Sequence, residues 1–255
     1  MNSLMQSPLD LLPLPAGHPC AACDVRMQTF CSALDAGELE QLRCLGSTAR
    51  LEADQSLFHQ GDQADVIYNL TKGSLRLYQL LPDGRRQVAG FLFPGDFLGL
   101  AVNDEHAFSA EAIEPAELCR YPRGRFNRFI DEHPRIEREL YRIAAHELAA
   151  ARDQMVLLGR KTANERLASF LLKLLARARK GDPAAETITL PMNRLDIADY
   201  LGLTKETVSR VFTLLKTSQV IRLMAGDVVR IVDRARLEAI ASGDGGSAGS
   251  AGSAG

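Results

Sequence analysis

No stretch of the 255-residue chain approaches the roughly 18 uninterrupted apolar residues that a membrane-spanning helix requires. The first nineteen residues are apolar only in patches, at Leu11, Leu12 and Leu14, and Pro8, Pro13 and Pro15 interrupt them. With no basic leader they do not read as a signal peptide. Both absences predict a cytoplasmic protein with no membrane partner. Thiols stay reduced in that compartment, so cysteines read as metal ligands or redox centres and not as disulfides. Also missing are a G-x-G-x-x-G behind a strand, a Walker loop and any triad-like context, which leaves no framework for an enzyme. The histidines, His18, His59, His106, His133 and His146, are scattered without the i, i+4 spacing of a metal or haem site.

What is present is unevenly placed. A hydrophobic content of 46% over 255 residues suffices for two modest domains, each with its own core. The formal net charge is only −2, yet residues 1–159 carry 15 Lys and Arg against 22 Asp and Glu, while residues 160–236 carry 15 against 8. A basic module at one end of a mildly acidic protein points to a polyanion, because neutralising phosphates with Lys and Arg releases counterions. From Gly245 the chain repeats Ser-Ala-Gly, a flexible composition that builds no core.

Three of the five cysteines, Cys20, Cys23 and Cys31, fall within twelve residues, and Cys119 lies far away. Thiolates are soft ligands that hold iron–sulfur clusters or zinc, and four close either kind of site. Cys20-Ala-Ala-Cys23 offers two sulfurs from one turn, Cys31 a third, and Cys119 would return from a strand end. Without a second C-x2-C pair the set fits a zinc ribbon poorly. A zinc knuckle or free thiols stand as alternatives. Cys44, between Leu42 and Leu45, reads as a small buried residue.

Leu34 to Leu45 patterns as a short helix. After it come short apolar-rich runs parted by turn residues: 66–70 and 74–80 around Thr71-Lys72-Gly73, 87–93 between Pro82-Asp83-Gly84 and Pro94-Gly95-Asp96, then 108–113 and 117–121. Short strands at roughly 8 to 12-residue spacing with Gly and Pro at the corners predict an antiparallel sandwich or jelly roll. Residues 136–158 hold no Gly or Pro, and Tyr141, Ala144, Leu148, Ala151, Met155 and Leu158 recur at alternating spacings of 3 and 4. That is a coiled-coil seam. The alanines permit close approach, so the seam reads as that of a parallel homodimer, the alternative being an amphipathic helix buried within one subunit. Ile136, Leu140 and Ile143 form a second stripe suited to packing against the roll, and Gly159 is expected to end the helix as a hinge.

In the basic end, Ala163 to Lys180 patterns as an amphipathic helix, broken by Gly181-Asp182-Pro183, with a short strand from Thr187 to Leu190. Asn193 to Tyr200 reads as a first helix, Gly202 as a turn, and Thr204 as the cap of a second helix running to about Lys216. Val208, Val211, Phe212 and Leu215 would face a core, leaving Lys205, Glu206, Ser209 and Arg210 to face outward. A bidentate Arg210 suits guanine O6 and N7, the Glu206 carboxylate accepts from cytosine N4, and Ser209 reaches a phosphate or a thymine edge. Thr204 and Lys205 belong to the same interface. Val228 to Val232, after Ala225-Gly226-Asp227, reads as a hairpin wing.

The expected fold class is α+β: an N-terminal antiparallel β-roll, a long dimerisation helix and a C-terminal winged helix-turn-helix. The divisions fall at 1–19 (an extension), 20–122 (cysteine loop and roll), 123–159 (linker and coiled-coil helix), 160–240 (DNA-binding domain) and 241–255 (a tail).

The run Leu201-Gly202-Leu203-Thr204-Lys205-Glu206-Thr207-Val208-Ser209-Arg210 resembles the DNA-reading signature of the Crp/Fnr superfamily, and its Glu-x-x-Ser-Arg form is that of the Fnr and FixK branches. The likeness extends from Cys20 to about Leu237, through Pro94-Gly95-Asp96-Phe97 and Leu157-Leu158-Gly159-Arg160-Lys161-Thr162-Ala163. This resemblance implies an oxygen-responsive activator of anaerobic and microaerobic genes that binds double-stranded DNA at a TTGAT-N4-ATCAA-like palindrome. It further implies an oxygen-labile [4Fe-4S] cluster held by Cys20, Cys23, Cys31 and Cys119, and contact with RNA polymerase through the turn Asp83-Gly84-Arg85. The seven-residue gap between Cys23 and Cys31 resembles the FnrN and FnrL type. FixK-like regulators work without a cluster, so the alternative is a regulator of the same fold controlled by thiol oxidation or expression level. Cyclic-nucleotide pockets of similar rolls pair a Gly-Glu with an Arg-Ser/Thr-Ala segment. Gly99-Leu100-Ala101 and Phe108-Ser109-Ala110 supply neither the acid nor the arginine, so no cyclic nucleotide is expected.

Overall fold

The computed structural model describes residues 19–99 and 104–244. The expectations for the leucine-containing extension and the Ser-Ala-Gly tail, and for Leu100 and Ala101, lie outside the described residues. The chain divides into two compact units, one of residues up to 79 together with 90–147, the other of 80–89 together with 148 onward.

The first unit opens with three 3-10 turns, Pro19–Ala22, Arg26–Gln28 and Phe30–Ala33. Helix α1 (Ala36–Leu45) starts at a capping box, in which Asp35 Oδ1 accepts from the Glu38 amide at 2.9 Å and Glu38 Oε2 accepts from the Asp35 amide at 2.8 Å. Eight strands follow: β1 (Ser47–Leu51), β2 (Ser56–Phe58), β3 (Val66–Lys72), β4 (Leu75–Leu80), β5 (Arg86–Leu92), β6 (Phe97–Leu98), β7 (Ser109–Ala112) and β8 (Ala116–Pro122). They form two four-stranded sheets ordered β1-β8-β3-β6 and β2-β7-β4-β5, the jelly-roll arrangement that the turn spacing predicts. Leu70, Leu75, Ala110, Ala112 and Leu118 fill the roll. Strand β8 alternates between two cores: Ala116 and Leu118 point into the roll, while Cys119 and Tyr121 point to a second core outside it.

That second core joins the cysteine loop to the helices. It contains Phe30, Cys31, Leu34, Leu39, Leu42, Tyr121, Phe126 and Phe129 from α2 (Arg123–Glu132), and Ile136 and Leu140 from α3 (Pro134–Arg160). The stripe of Ile136, Leu140 and Ile143 therefore packs as its spacing suggested. Phe30 is fully buried and meets Phe97, Phe126 and Tyr121 edge-on at centroid distances of 5.2, 5.4 and 6.4 Å.

Three expectations need correction. Helix α3 runs through Gly159 to Arg160 and does not end there: one glycine costs about 1 kcal/mol, and the amide of Lys161 still reaches the Leu157 carbonyl at 3.2 Å. Cys44 is exposed, because α1 buries Leu39 and Leu42 and the residue two places beyond Leu42 turns away from that face. Cys119 lies within β8 and not at a strand end. Strands β1, β2 and β6 correspond to no run singled out in the sequence, and two of them span three residues or fewer.

In the second unit, α4 (Ala163–Gly181) begins at a Thr162–Glu165 capping box. There follow β9 (Thr187–Thr189), α5 (Arg194–Leu201), α6 (Lys205–Thr217), β10 (Ile221–Leu223), β11 (Val228–Ile231) and α7 (Arg234–Ser242), with a small sheet ordered β10-β11-β9. Leu167, Leu171, Ile197, Leu201, Val208, Phe212 and Leu237 are buried between them. This is a winged helix-turn-helix.

Phe30→Ala is expected to destabilise the first unit by about 3–5 kcal/mol, since it deletes a fully buried ring whose neighbours cannot collapse into the space. Denaturant unfolding of the purified variant measures the loss.

Candidate functional site

The cysteine loop is built from local turns. Cys20 lies in the first 3-10 turn, and the Cys23 amide donates to its carbonyl at 3.4 Å. Thr29, itself buried, caps the third turn, its Oγ1 accepting from the Cys31 amide at 3.1 Å. Cys119 is held between two strands, opposite Thr48 of β1 and Asn69 of β3.

These thiols act on one another electrostatically. Burial pushes the Cys31 thiol up to about 12, with Cys119, Cys20 and Cys23 adding to the effect and the Thr29 hydroxyl opposing it. Burial also raises the Cys119 thiol, a hydrogen bond from the Tyr121 hydroxyl pulls it back, and the charges of Cys23 and Cys20 add to the rise. Cys20 is raised by burial and by Cys23, against Arg43 and Arg26. The core that encloses Cys31 also packs Cys119 of β8, and Cys20 and Cys23 act on both thiols.

Among the described residues no three His, Cys, Asp or Glu side chains gather tightly enough for a single metal ion. A four-iron cluster spans its ligand sulfurs more widely than one ion does, and four soft sulfurs against an aromatic wall suit its chemistry. Asn69, opposite Cys119, is 2% exposed, and its Oδ1 is buried without a hydrogen-bond partner among the described residues. Because that oxygen accepts and does not donate, it calls for a donor and is not itself a point of attachment for a thiolate-held cluster. The donor set that fits a cluster is the four sulfurs. Neither Thr29, Asn69 nor Tyr121 carries a sequence signal that would have found it.

The second site is α6. Gly202, left-handed at φ 60° and ψ 43°, turns the chain out of α5, and Thr204 Oγ1 accepts from the Thr207 amide at 3.2 Å to start α6. Val208, Val211, Phe212 and Leu215 are buried, while Thr204, Lys205, Glu206, Ser209 and Arg210 are exposed together. Arg210 Nη2 donates to Thr207 Oγ1 at 3.2 Å, which holds the guanidinium along the helix surface. Behind this face Arg194 lies over the Phe212 ring at 3.3 Å. Arg222 and Arg230 stand opposite each other on the β10–β11 wing and are both exposed. The start of α5 carries a charge that the sequence reading missed. Asp196 is fully buried, closes a capping box with Asn193, and accepts from Arg86 at 2.6 Å.

On α3 the seam residues are uncovered: Tyr141 is 78%, Leu148 55% and Met155 73% exposed, Ala144 and Ala151 are also exposed, and Leu158 is half-buried.

The profile of the Crp-like helix-turn-helix domain matches residues 165–240, and that of the cyclic nucleotide-binding domain matches 48–133. The nitrogen fixation regulation protein FixK of Bradyrhizobium diazoefficiens is 45% identical over 228 residues, which is 89% of this chain and 96% of that one. The chain belongs to the Crp/Fnr family. The transcriptional activator protein FnrL of Cereibacter sphaeroides is 37% identical over 90% of this chain and 95% of its own. Among solved structures, that of FixK2 from Bradyrhizobium japonicum matches with a TM-score of 0.71 at 35% identity, covering 76% of this chain and 96% of the other. This Crp/Fnr protein is a DNA-binding transcription regulator, and the relatives it matches are regulators and not enzymes. No described helix is long and apolar enough to cross a membrane.

Gly202→Ala is expected to cost about 1–2 kcal/mol, the penalty for a side chain in the left-handed region, and to weaken DNA binding. Urea unfolding and titration of labelled duplex measure the two effects.

Proposed function

We propose that this regulator is an oxygen-responsive activator of anaerobic and microaerobic genes, working in the cytoplasm as a homodimer on a TTGAT-N4-ATCAA-like palindrome. Cys20, Cys23, Cys31 and Cys119 would hold a [4Fe-4S] cluster, which supplies an oxygen-labile link between the loop and β8. The observation that carries this reading is the shared core: Cys31 and Cys119 pack against the same residues as Ile136 and Leu140 of α3, whose other face bears the seam. Order in the loop and order at the start of the dimer helix therefore depend on the same apolar contacts. Because each half-site contributes only part of the binding energy, weaker pairing releases the palindrome. On DNA, Arg210 and Glu206 specify bases, Ser209 assists, and Thr204 and Lys205 contact the backbone. The turn Asp83-Gly84-Arg85 is the proposed contact for RNA polymerase, and cyclic nucleotide is not the effector.

A second reading stands beside it. It is a regulator of the same fold without a cluster, controlled by thiol oxidation or expression level, as the resemblance to FixK-like regulators implies.

One experiment separates the two. Anaerobically purified protein is expected to contain about four iron and four sulfide per chain and to lose operator binding in air together with its cluster absorbance. Iron-free protein with full operator binding overturns the first reading. Cys119→Ala is expected to bind the operator anaerobically more weakly than the wild type, read by gel shift. Arg210→Ala is expected to cost about 1–3 kcal/mol of specific binding and to relax the base preference at its position. Competition with duplexes substituted at single positions measures that change.

A further inference from the structure

Arg166, in the first turn of α4, sits where two helix ends converge. Its Nε donates to the Lys161 carbonyl at 2.8 Å, its Nη2 to the Leu158 carbonyl at 2.9 Å, and its Nη1 to the Leu201 and Gly202 carbonyls at 2.8 and 3.4 Å. The first pair belongs to the end of α3 and the second to the end of α5 and the turn before α6. Terminal carbonyls of a helix lack partners within it and carry its partial negative charge. One planar guanidinium, with donors on three sides, satisfies both ends at once. One turn earlier on α3, Gln154 Nε2 donates to the Tyr200 carbonyl at 3.0 Å. The turn itself rides close on this joint: a Cβ on Gly202 would lie 3.4 Å from Arg166 Nη1 and 3.5 Å from Leu158 Cδ2.

Met155 and Leu158, the last residues of the seam, are on the same two turns of α3 as Gln154 and the Leu158 carbonyl. The helix that would pair with a second copy is thus bonded, through Arg166 and Gln154, to the turn that aims α6. We infer that Arg166 is a positioning residue that sets which half-site spacing the dimer accepts. The inference rests on the reading that two copies pair along α3. In a paired regulator the two reading helices must lie about one turn of DNA, roughly 34 Å, apart, and each base pair adds about 3.4 Å. A joint that yields by that much admits a site one base pair longer or shorter. A joint clamped at four carbonyls does not.

The test uses the full chain, anaerobically purified, and duplexes carrying TTGAT and ATCAA half-sites separated by three, four or five base pairs, with a single half-site as the control. Wild type is expected to prefer one spacing. Arg166→Lys keeps the charge but cannot reach both helix ends, and it is expected to reduce that preference about tenfold through lost preorganisation while leaving single half-site binding unchanged. Gln154→Ala, which removes one bond at the same joint and no charge, is expected to shift the ratio the same way to a smaller extent, so the inference stays testable if the arginine variant folds poorly. An unchanged spacing ratio in the folded variants overturns the inference, as does an equal loss on all duplexes. Sedimentation separates this from failure of the dimer reading: a wild-type chain that stays monomeric on DNA overturns both.

Discussion

Burial of Phe30 is the contact on which the organisation of the first unit depends. Residues 19–34 form only short 3-10 turns, which carry few hydrogen bonds of their own, so ordering them costs conformational entropy that local structure does not return. A fully buried aromatic ring surrounded by Phe97, Phe126 and Tyr121 offsets that cost and fixes where the neighbouring Cys31 lies. Cys119 needs no such help, because it sits inside a strand paired on both sides. The thiol group is therefore assembled from one rigid partner and one partner held by packing. Disturbing the packing would therefore move Cys31 well before it moved Cys119.

The second unit is organised by a different force. Its distinctive contacts are between arginines and oxygen: Arg166 with four carbonyls, and Arg86 with the buried Asp196 carboxylate and with Asp199 at 2.9 Å. Buried charge is tolerated only where it is paired and hydrogen-bonded, and these geometries are directional where apolar packing is not. Directionality suits a domain whose task is to present one helix face at a fixed attitude. Arg194 adds a contact of another kind at the reading helix, its guanidinium lying over the Phe212 ring.

Much of this architecture was legible in the sequence, and the reasons differ by element. Turn residues delimited β3, β4, β5 and β8, and apolar periodicity located α3, α4 and α6 to within a few residues. Strands β2 and β6 were not legible, since two or three residues carry no alternation and their pairing is set by the sheets they join. Gly159 misled because a glycine punctuates a helix only where the flanking hydrogen bonds also fail. The ligand-type cysteines and the outward face of α6 were visible as residue types at informative spacings. Asn69, Tyr121 and Arg166 were not, because each acts through partners distant in sequence or through main-chain carbonyls that no side-chain pattern announces, and the Thr29 cap serves a turn too short to carry a pattern of its own.

The exposure of Cys44 gives this chain thiols of two kinetic classes. A thiol on an open helix surface meets oxidants at a rate governed by solution chemistry. Cys31 is enclosed and its thiol is pushed up by burial, so in a cluster-free chain access to it requires the loop around it to open. With Cys44 as the reference, labelling of Cys31 in the cluster-free chain reports how often the loop opens.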